Sequence, residues 1–454
     1  MIEQPDKKSQ DMISELVAAG AAIVDAPELS IFTPNSGQAE ALEKLSAFLA
    51  DPKAFEFGLF GFAGTGKTTV IQQAFENYPG RVAMSAPTHK AVGILGAMAA
   101  DKGLRVEVAT LHKMLSLKQV YKDGEKVFVP DPKRVPMVQS FDVLVVDECS
   151  MIGSDLDALV RPYIDGERVK VIWMGDRLQL PPVGDETEAR AFSAPLSHTL
   201  TQIMRNGGVV GKAVADIRDD ILAPYPALGR PGSDDRGAVE VYGSKMWFRK
   251  FMAELEEVGS DVQALAFTNK AVDWINAAVR AQLFGRDAAP FVEGERLVAV
   301  ETFCHGGTIV FYTGAFCTVV KATLSSETFV SSETFVGTEI PCWELEVDFG
   351  GGCIELVDVL DINQKPAYFE ALKKAKAQGL GPMKFWGDYY DLKEAFADLR
   401  PGYATTIHKS QGSTYDRVYL AQSDVMKSAN FNPELRNRLL YVGYSRTKTK
   451  LVLC

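Results

Sequence analysis

No CxxC pair occurs in this 454-residue chain, no apolar run approaches the length of a membrane span, and basic residues are outnumbered by acidic ones. Each absence narrows the field. The six cysteines stand at 149, 304, 317, 342, 353 and 454, and only His305 lies beside one of them, so scattered thiols in a reducing compartment are expected. Neither a zinc site nor a disulfide framework is. The stretch LVAAGAAIV (16–24) is too short to cross a bilayer and is flanked by Glu15 and Asp25, while the start, MIEQPDKKSQ, is polar and mixed in charge. A cytoplasmic location with no membrane partner is the expectation. A formal net charge of −11 argues against coating of nucleic acid by bulk attraction, because counterion release needs Lys and Arg facing the backbone. One polar channel inside an acidic exterior remains compatible with it.

What is present is a large apolar fraction, 46%, on a chain too long for one core, which sets an expectation of roughly two to four domains. The run GFAGTGKTT (61–69) satisfies GxxxxGK[ST]. FEFGLF (55–60) before it reads as a strand, and TTVIQQAFENY after the lysine reads as a helix with Val70, Ile71, Ala74 and Phe75 on its apolar side. Strand, glycine loop and helix form a phosphate cradle. Gly61, Gly64 and Gly66, with Thr65 and Thr69 in the same loop, let backbone N–H groups approach phosphate oxygens; Lys67 reaches the β/γ-phosphates and Thr68 holds Mg²⁺. FDVLVVDECS (141–150) is the expected partner, an apolar strand that delivers two carboxylates to its carboxyl end. Asp147 is assigned to Mg²⁺ and Glu148 to the base that takes a proton from the attacking water.

Further motifs follow in a fixed order: APTHKAV (86–92), GDRLQLPPV (175–183) after the strand VKVIWM, LTQIMR (200–205), YATTIHKSQGSTYDRV (403–418) and LLYVGYSR (439–446). With the phosphate loop they resemble the superfamily 1 helicases, within them the RecD/Dda-like branch, and most of all the Dda-type phage helicases. The resemblance runs from about residue 30 to the last residue of the sequence. It implies an α/β fold of two RecA-like P-loop motor domains, with a β-hairpin pin insertion and a small β-barrel insertion domain. The expected boundaries are 1–30 for an N-terminal extension, 31–245 for the first motor domain with the pin at 113–140, 246–300 plus 400–454 for the second, and 301–399 for the barrel with a helical segment.

The implied activity is ATP-dependent translocation 5′→3′ on single-stranded DNA with unwinding of duplex, by a monomeric motor in the host cytoplasm if phage-encoded. ATP and Mg²⁺ are the implied cofactors. Single-stranded DNA and duplex junctions are the implied partners, with replication or recombination proteins beyond them. Residue by residue, Gln38 in TPNSGQ resembles the reader of the adenine edge, Gln179 the γ-phosphate sensor, and Arg205 and Arg446 the arginines that clamp the γ-phosphate. Gln411 and Gly412 are drawn towards the phosphates when the domains close. Pro87, Thr88, His89, Lys90, Thr110 and His112 match one grip on the strand, and Thr268, Asn269, Thr406, His408 and Lys409 the opposing one. Hydroxyls, imidazoles and backbone N–H groups hold phosphates without reading bases.

In LSLKQVYKDGEKVFVP two strands flank Asp123-Gly124, a hairpin signal, and Phe128 matches the aromatic tip of the pin, sharing a face with Tyr121. SSETFVSSETFV (325–336) is a tandem hexapeptide, read as a duplicated strand or an elongated hairpin. QKPAYFEALKKAKAQG reads as a basic helix. The rival functions are an RNA helicase, a translocase that does not unwind, and a nucleotide-switched binding module in which turnover is incidental.

Overall fold

The computed structural model describes residues 33–122, 125–182, 188–204, 209–222, 238–305, 308–329, 338–350, 352, 354–361, 365–380, 387–429 and 432–454. The expected N-terminal extension, the Asp123-Gly124 turn, the Tyr121 side chain, Arg205 and the second SSETFV copy lie outside them.

The chain first builds a parallel sheet. Helix α1 (Ser36–Ala50) is started by a capping box, in which Asn35 and Gln38 each bond the other's backbone N–H. There follow β1 (Glu56–Gly61), α2 (Lys67–Phe75), β2 (Val82–Ala86), α3 (His89–Asp101), β3 (Val106–Thr110) and the single-turn α4 (Leu111–Met114). A hairpin, β4 (Leu117–Lys122) with β5 (Glu125–Pro130), leads to β6 (Val143–Val146), α5 (Ser154–Asp165), β7 (Lys170–Gly175) and β8 (Leu196–Leu200). The sheet order is β3-β2-β6-β7-β1-β8, every neighbouring pair parallel. Strands β1, β2 and β6 are buried along their whole length because helices cover both faces, which explains why their sequences read as unbroken apolar runs. Two separate cores result, one on each face.

A second parallel sheet begins with α6 (Val209–Leu222), β9 (Val239–Val241), α7 (Ser244–Val258), β10 (Val262–Ala266) and α8 (Asn269–Leu283). The chain then leaves for β11 (Arg296–Ala299), β12 (Phe303–His305), β13 (Thr308–Phe311), β14 (Phe316–Phe329), β15 (Thr338–Asp348), β16 (Ile354–Leu360), α9 (Lys365–Gly379), α10 (Gly387–Glu394) and β17 (Leu399–Pro401). It returns through β18 (Ala404–Thr406), β19 (Tyr415–Leu420), α11 (Gln422–Ser428), α12 (Pro433–Ser445) and β20 (Thr447–Leu453). The second sheet runs β18-β10-β19-β20-β9, again all parallel. The inserted strands are antiparallel in the order β16-β15-β14-β11-β17, with β12 and β13 as a separate hairpin. Among the described residues no helix is long and apolar enough to cross a membrane.

Two expected boundaries move. β9 pairs with β20, so the second sheet takes in residues 239–241, ahead of the expected start at 246. Local sequence cannot show this, since the pairing spans the whole second lobe. The inserted sheet likewise takes in β11 and β17, running from 296 to 401 instead of 301 to 399. The first SSETFV copy extends β14, whose pairing with β15 reaches Phe329 opposite Thr338.

Phe128 is also displaced from its expected place. β4 ends at Lys122 and β5 starts at Glu125, and Phe128 pairs with Gln119 midway along these strands, not at the end where Lys122 meets Glu125. Its ring lies edge-on to His112, 4.5 Å between centroids, and remains 44% exposed.

Candidate functional site

The carboxyl ends of β1, β6 and β7 open on a cavity of about 410 Å³ at the seam between the two parallel-sheet lobes. Its floor is the loop after β1. Gly64 and Gly66 have φ of 80° and 84°, a region that side chains avoid, and a Cβ on Gly66 would come 2.6 Å from Gln38 Nε2. Glycine here is a steric requirement. Gly66 also starts α2, so the helix's N-terminal N–H groups and its dipole face the cavity, with Lys67, Thr68 and Thr69 lining it. Lys67 Nζ donates to the carbonyls of Gly61 at 2.7 Å and Phe62 at 3.2 Å, which holds the ammonium over the loop.

Asp147 and Glu148 line the same cavity. Asp147 Oδ1 accepts the Glu148 N–H at 2.8 Å, leaving its other oxygen for a cation. Glu148 has a left-handed backbone, φ 51°, that turns its carboxylate off the strand axis. Burial and the Asp147 charge push the Glu148 carboxyl up to about 7, while Arg446 and Lys67 pull the other way. Burial likewise raises Asp147, opposed by Lys67.

The second lobe supplies Gly412, Thr414 and Arg446. Arg446 is 5% exposed and fixed by the carbonyls of Val442 and Ser413, both at 3.2 Å, and by the Ser445 hydroxyl at 3.0 Å. Lys67 from one lobe and Arg446 from the other therefore line one cavity. Gln179 lines it too, and its side-chain oxygen takes a bond from Gln411 Nε2 at 3.4 Å.

Four expected contacts lie outside the cavity lining, among them Gly61, whose carbonyl is taken by Lys67. Gln38 is 2% exposed, accepting the Asn35 N–H and donating to Thr65 O at 3.2 Å, so it braces the glycine loop. Thr65 is buried and donates to Phe62 O at 2.9 Å. Gln411 lies outside the lining and donates to Gln179 and to the Leu180 carbonyl.

The residues expected to grip the strand sit on loops that begin helices. Thr88, Thr110, Thr268 and Thr406 each accept a backbone N–H three residues on, at 3.3, 3.3, 3.2 and 3.3 Å. Capping and strand contact are compatible, because a hydroxyl that accepts still has a proton to donate. Thr268 is the exception, since its hydroxyl donates to Asp424 at 2.9 Å. Asn269 and Lys409 line a second cavity of about 360 Å³, which Lys90 enters from the first lobe. Lys90 Nζ lies over the rings of Phe316 and Tyr415, and His89 stacks on Tyr312 of the inserted segment, 3.4 Å between centroids. Pro87 precedes this loop, and His408 lies 5.9 Å from the Phe267 ring.

Burial, with His112 and Lys113 nearby, pushes the His89 imidazole down to about 4, and burial lowers His112 and His408 as well. Above the ordinary value of 6.5 both folded and unfolded chains carry neutral rings; as pH falls from there towards 4 the unfolded chain binds a proton at His89 that the folded chain refuses. Stability therefore falls with pH in that window. His89→Gln is expected to flatten the decline of Tm between pH 6.5 and 4, and an unchanged slope would contradict the neutral, half-buried ring.

Asp176 and Tyr441 fall within the quoted motifs GDRLQLPPV and LLYVGYSR without a role of their own there, Arg438 lies just outside the second, and Asp176 carries a further usable signal. It follows the apolar strand β7 as Asp147 follows β6.

A glycine loop, paired acidic residues and an arginine from a second parallel-sheet lobe define a two-lobed P-loop nucleotide-binding protein. Residues 33–229 match the AAA domain family and 401–454 the UvrD-like helicase C-terminal domain. By these two models and the relatives that follow, the chain is similar to helicases of the Dda type. It is 27% identical over 426 residues to the ATP-dependent DNA helicase dda of Enterobacteria phage T4, covering 85% of this chain and 91% of that protein. It is 25% identical to an uncharacterized protein of Acanthamoeba polyphaga mimivirus over 92% of this chain and 99% of the other. The fold is similar to that in a structure of two coordinating Pif1 helicases unwinding forked duplex DNA, with a TM-score of 0.52 at 17% identity and coverage of 93% and 92%.

Proposed function

We propose that this chain hydrolyses ATP at the seam and uses the lobe movement to run 5′→3′ along single-stranded DNA, opening duplex ahead of it. The observation that carries the reading is the single cavity faced by Lys67 and Arg446 from opposite lobes. Phosphates held by the loop and by Arg446 tie the lobes together, and their loss on hydrolysis lets the lobes part. Glu148 takes the proton of the attacking water, and a carboxyl held near 7 suits that role. The guanidinium of Arg446 meets the charge that spreads over the transferred phosphoryl group. Gln179 and Gln411 relay the state of the cavity towards the loop carrying Thr406, His408 and Lys409.

The Thr68 hydroxyl and the Asp147 carboxylate are hard oxygen donors on one cavity wall, a set that fits Mg²⁺. When bound there, the ion neutralises phosphate charge. The likeness to the phage T4 DNA helicase supports DNA as the substrate, and the resemblance of QLPPV (179–183) with the modest size of the inserted segment supports the polarity.

The test pairs unwinding of substrates carrying a 5′ or a 3′ single-stranded tail with ATPase measured with and without DNA. Unwinding from the 5′ tail and DNA-stimulated ATPase are expected. Preference for the 3′ tail overturns the polarity, and ATPase indifferent to any nucleic acid overturns the motor.

A further inference from the structure

One helix face brings the second lobe against residues 176–179 of the first. Arg438, Tyr441 and Ser445 recur at three- and four-residue spacing on α12, so they share a side. Arg438 Nη1 donates to the carbonyl of Arg177 and, at 2.8 Å, to that of Gln179. Tyr441 donates its hydroxyl to Asp176 Oδ2 at 2.5 Å. That carboxylate oxygen also accepts the N–H of Ala63 at 3.0 Å, and Ala63 N lies 3.2 Å from the Tyr441 hydroxyl. The other carboxylate oxygen accepts the Leu178 N–H at 3.0 Å.

Asp176 is 1% exposed and Tyr441 fully buried. A carboxylate removed from water must be met by donors, and charge-assisted bonds of this kind are the strong ones. Two of the three donors here are backbone groups of the first lobe; the third is a side chain of the second. Burial and the Asp176 charge push the Tyr441 phenol well above its ordinary pKa, so the hydroxyl stays a donor. Ala63 is one residue from Gly64 in the phosphate loop, Gln179 lines the cavity, and Arg446 follows the last residue of α12. The Asp176–Tyr441 bond thus lies where three parts of the cavity wall meet.

We propose that Asp176 and Tyr441 are positioning residues for hydrolysis: through their bond, α12 registers the Gln179 loop and the entrance of the phosphate loop against Arg446. The inference rests on the reading that ATP is turned over in this cavity. Neither residue touches the nucleotide in this scheme; each acts by fixing the groups that do.

Tyr441→Phe removes one hydroxyl and leaves the ring in its packing. Its kcat for DNA-stimulated ATP hydrolysis is expected to fall about tenfold, the scale of one charge-assisted hydrogen bond, with KM for ATP changed less than about twofold. Asp176→Asn keeps the size, removes the charge, and is expected to show the same split; the double variant is expected to be no worse than the poorer single one. A folded Tyr441→Phe or Asp176→Asn chain with kcat at the parent level overturns the inference. So does a loss of kcat that only tracks the loss of folded protein, which marks a purely structural bond. If the parent itself shows no ATPase, the functional reading fails instead, so the two failures are told apart.

Discussion

Glu148→Gln is expected to bind ATP at least as tightly as the parent and to hydrolyse it roughly 10²–10⁴-fold more slowly, the range for loss of a positioned general base. The side chain keeps its shape and loses its proton-accepting oxygen. Binding is spared because a carboxylate that burial and Asp147 already disfavour adds repulsion, not attraction, towards phosphate. Strand separation falls with turnover if the motor reading holds, whereas a nucleotide-switched module would keep its output, since closure on ATP is intact. Measuring nucleotide affinity by equilibrium titration beside steady-state ATPase separates the cases. Normal turnover in the variant would remove Glu148 from the role of base.

Arg446→Ala is expected to cost on the order of 10³-fold or more in turnover, the scale of a lost arginine at a phosphoryl-transfer site. Arg446→Lys should recover little of it. Lysine keeps the charge, but only a guanidinium has the planar fork that meets spread phosphoryl charge, and here the fork is also held by Val442, Ser413 and Ser445. Both variants retain Lys67 and the glycine loop, so nucleotide binding is expected to survive. A chain hydrolysing ATP at parent rate without Arg446 would mean that the second lobe takes no part in the chemistry, and the seam would then be an accident of packing.

Much of this was legible before any coordinates. The glycine loop, the strand that ends in Asp147 and Glu148, and the helix after Lys67 are all local patterns whose chemistry requires their spacing. β6 reads correctly because a strand buried on both faces is apolar throughout. Contacts between distant segments left no such trace. Asp176 and Tyr441 are 265 residues apart, and nothing near either predicts the other. The second-lobe boundary failed for the same reason, as β9 belongs to a sheet completed by the final strand. Gln38 was legible as a neighbour of the loop but not as its brace, because whether an amide faces a ligand or the protein depends on tertiary packing. Phe128 shows a limit of alignment by motif, since its place on the hairpin follows from strand length.

The backbone at Glu148 has a consequence for any attempt to engineer this chain. A non-glycine residue in the left-handed region costs about 1–2 kcal/mol, so the position proposed as the base is also one where the polypeptide is least comfortable. Selection for thermal robustness alone would reward glycine or asparagine there. Hardened variants would accumulate in which the molecule outlasts its parent and does nothing.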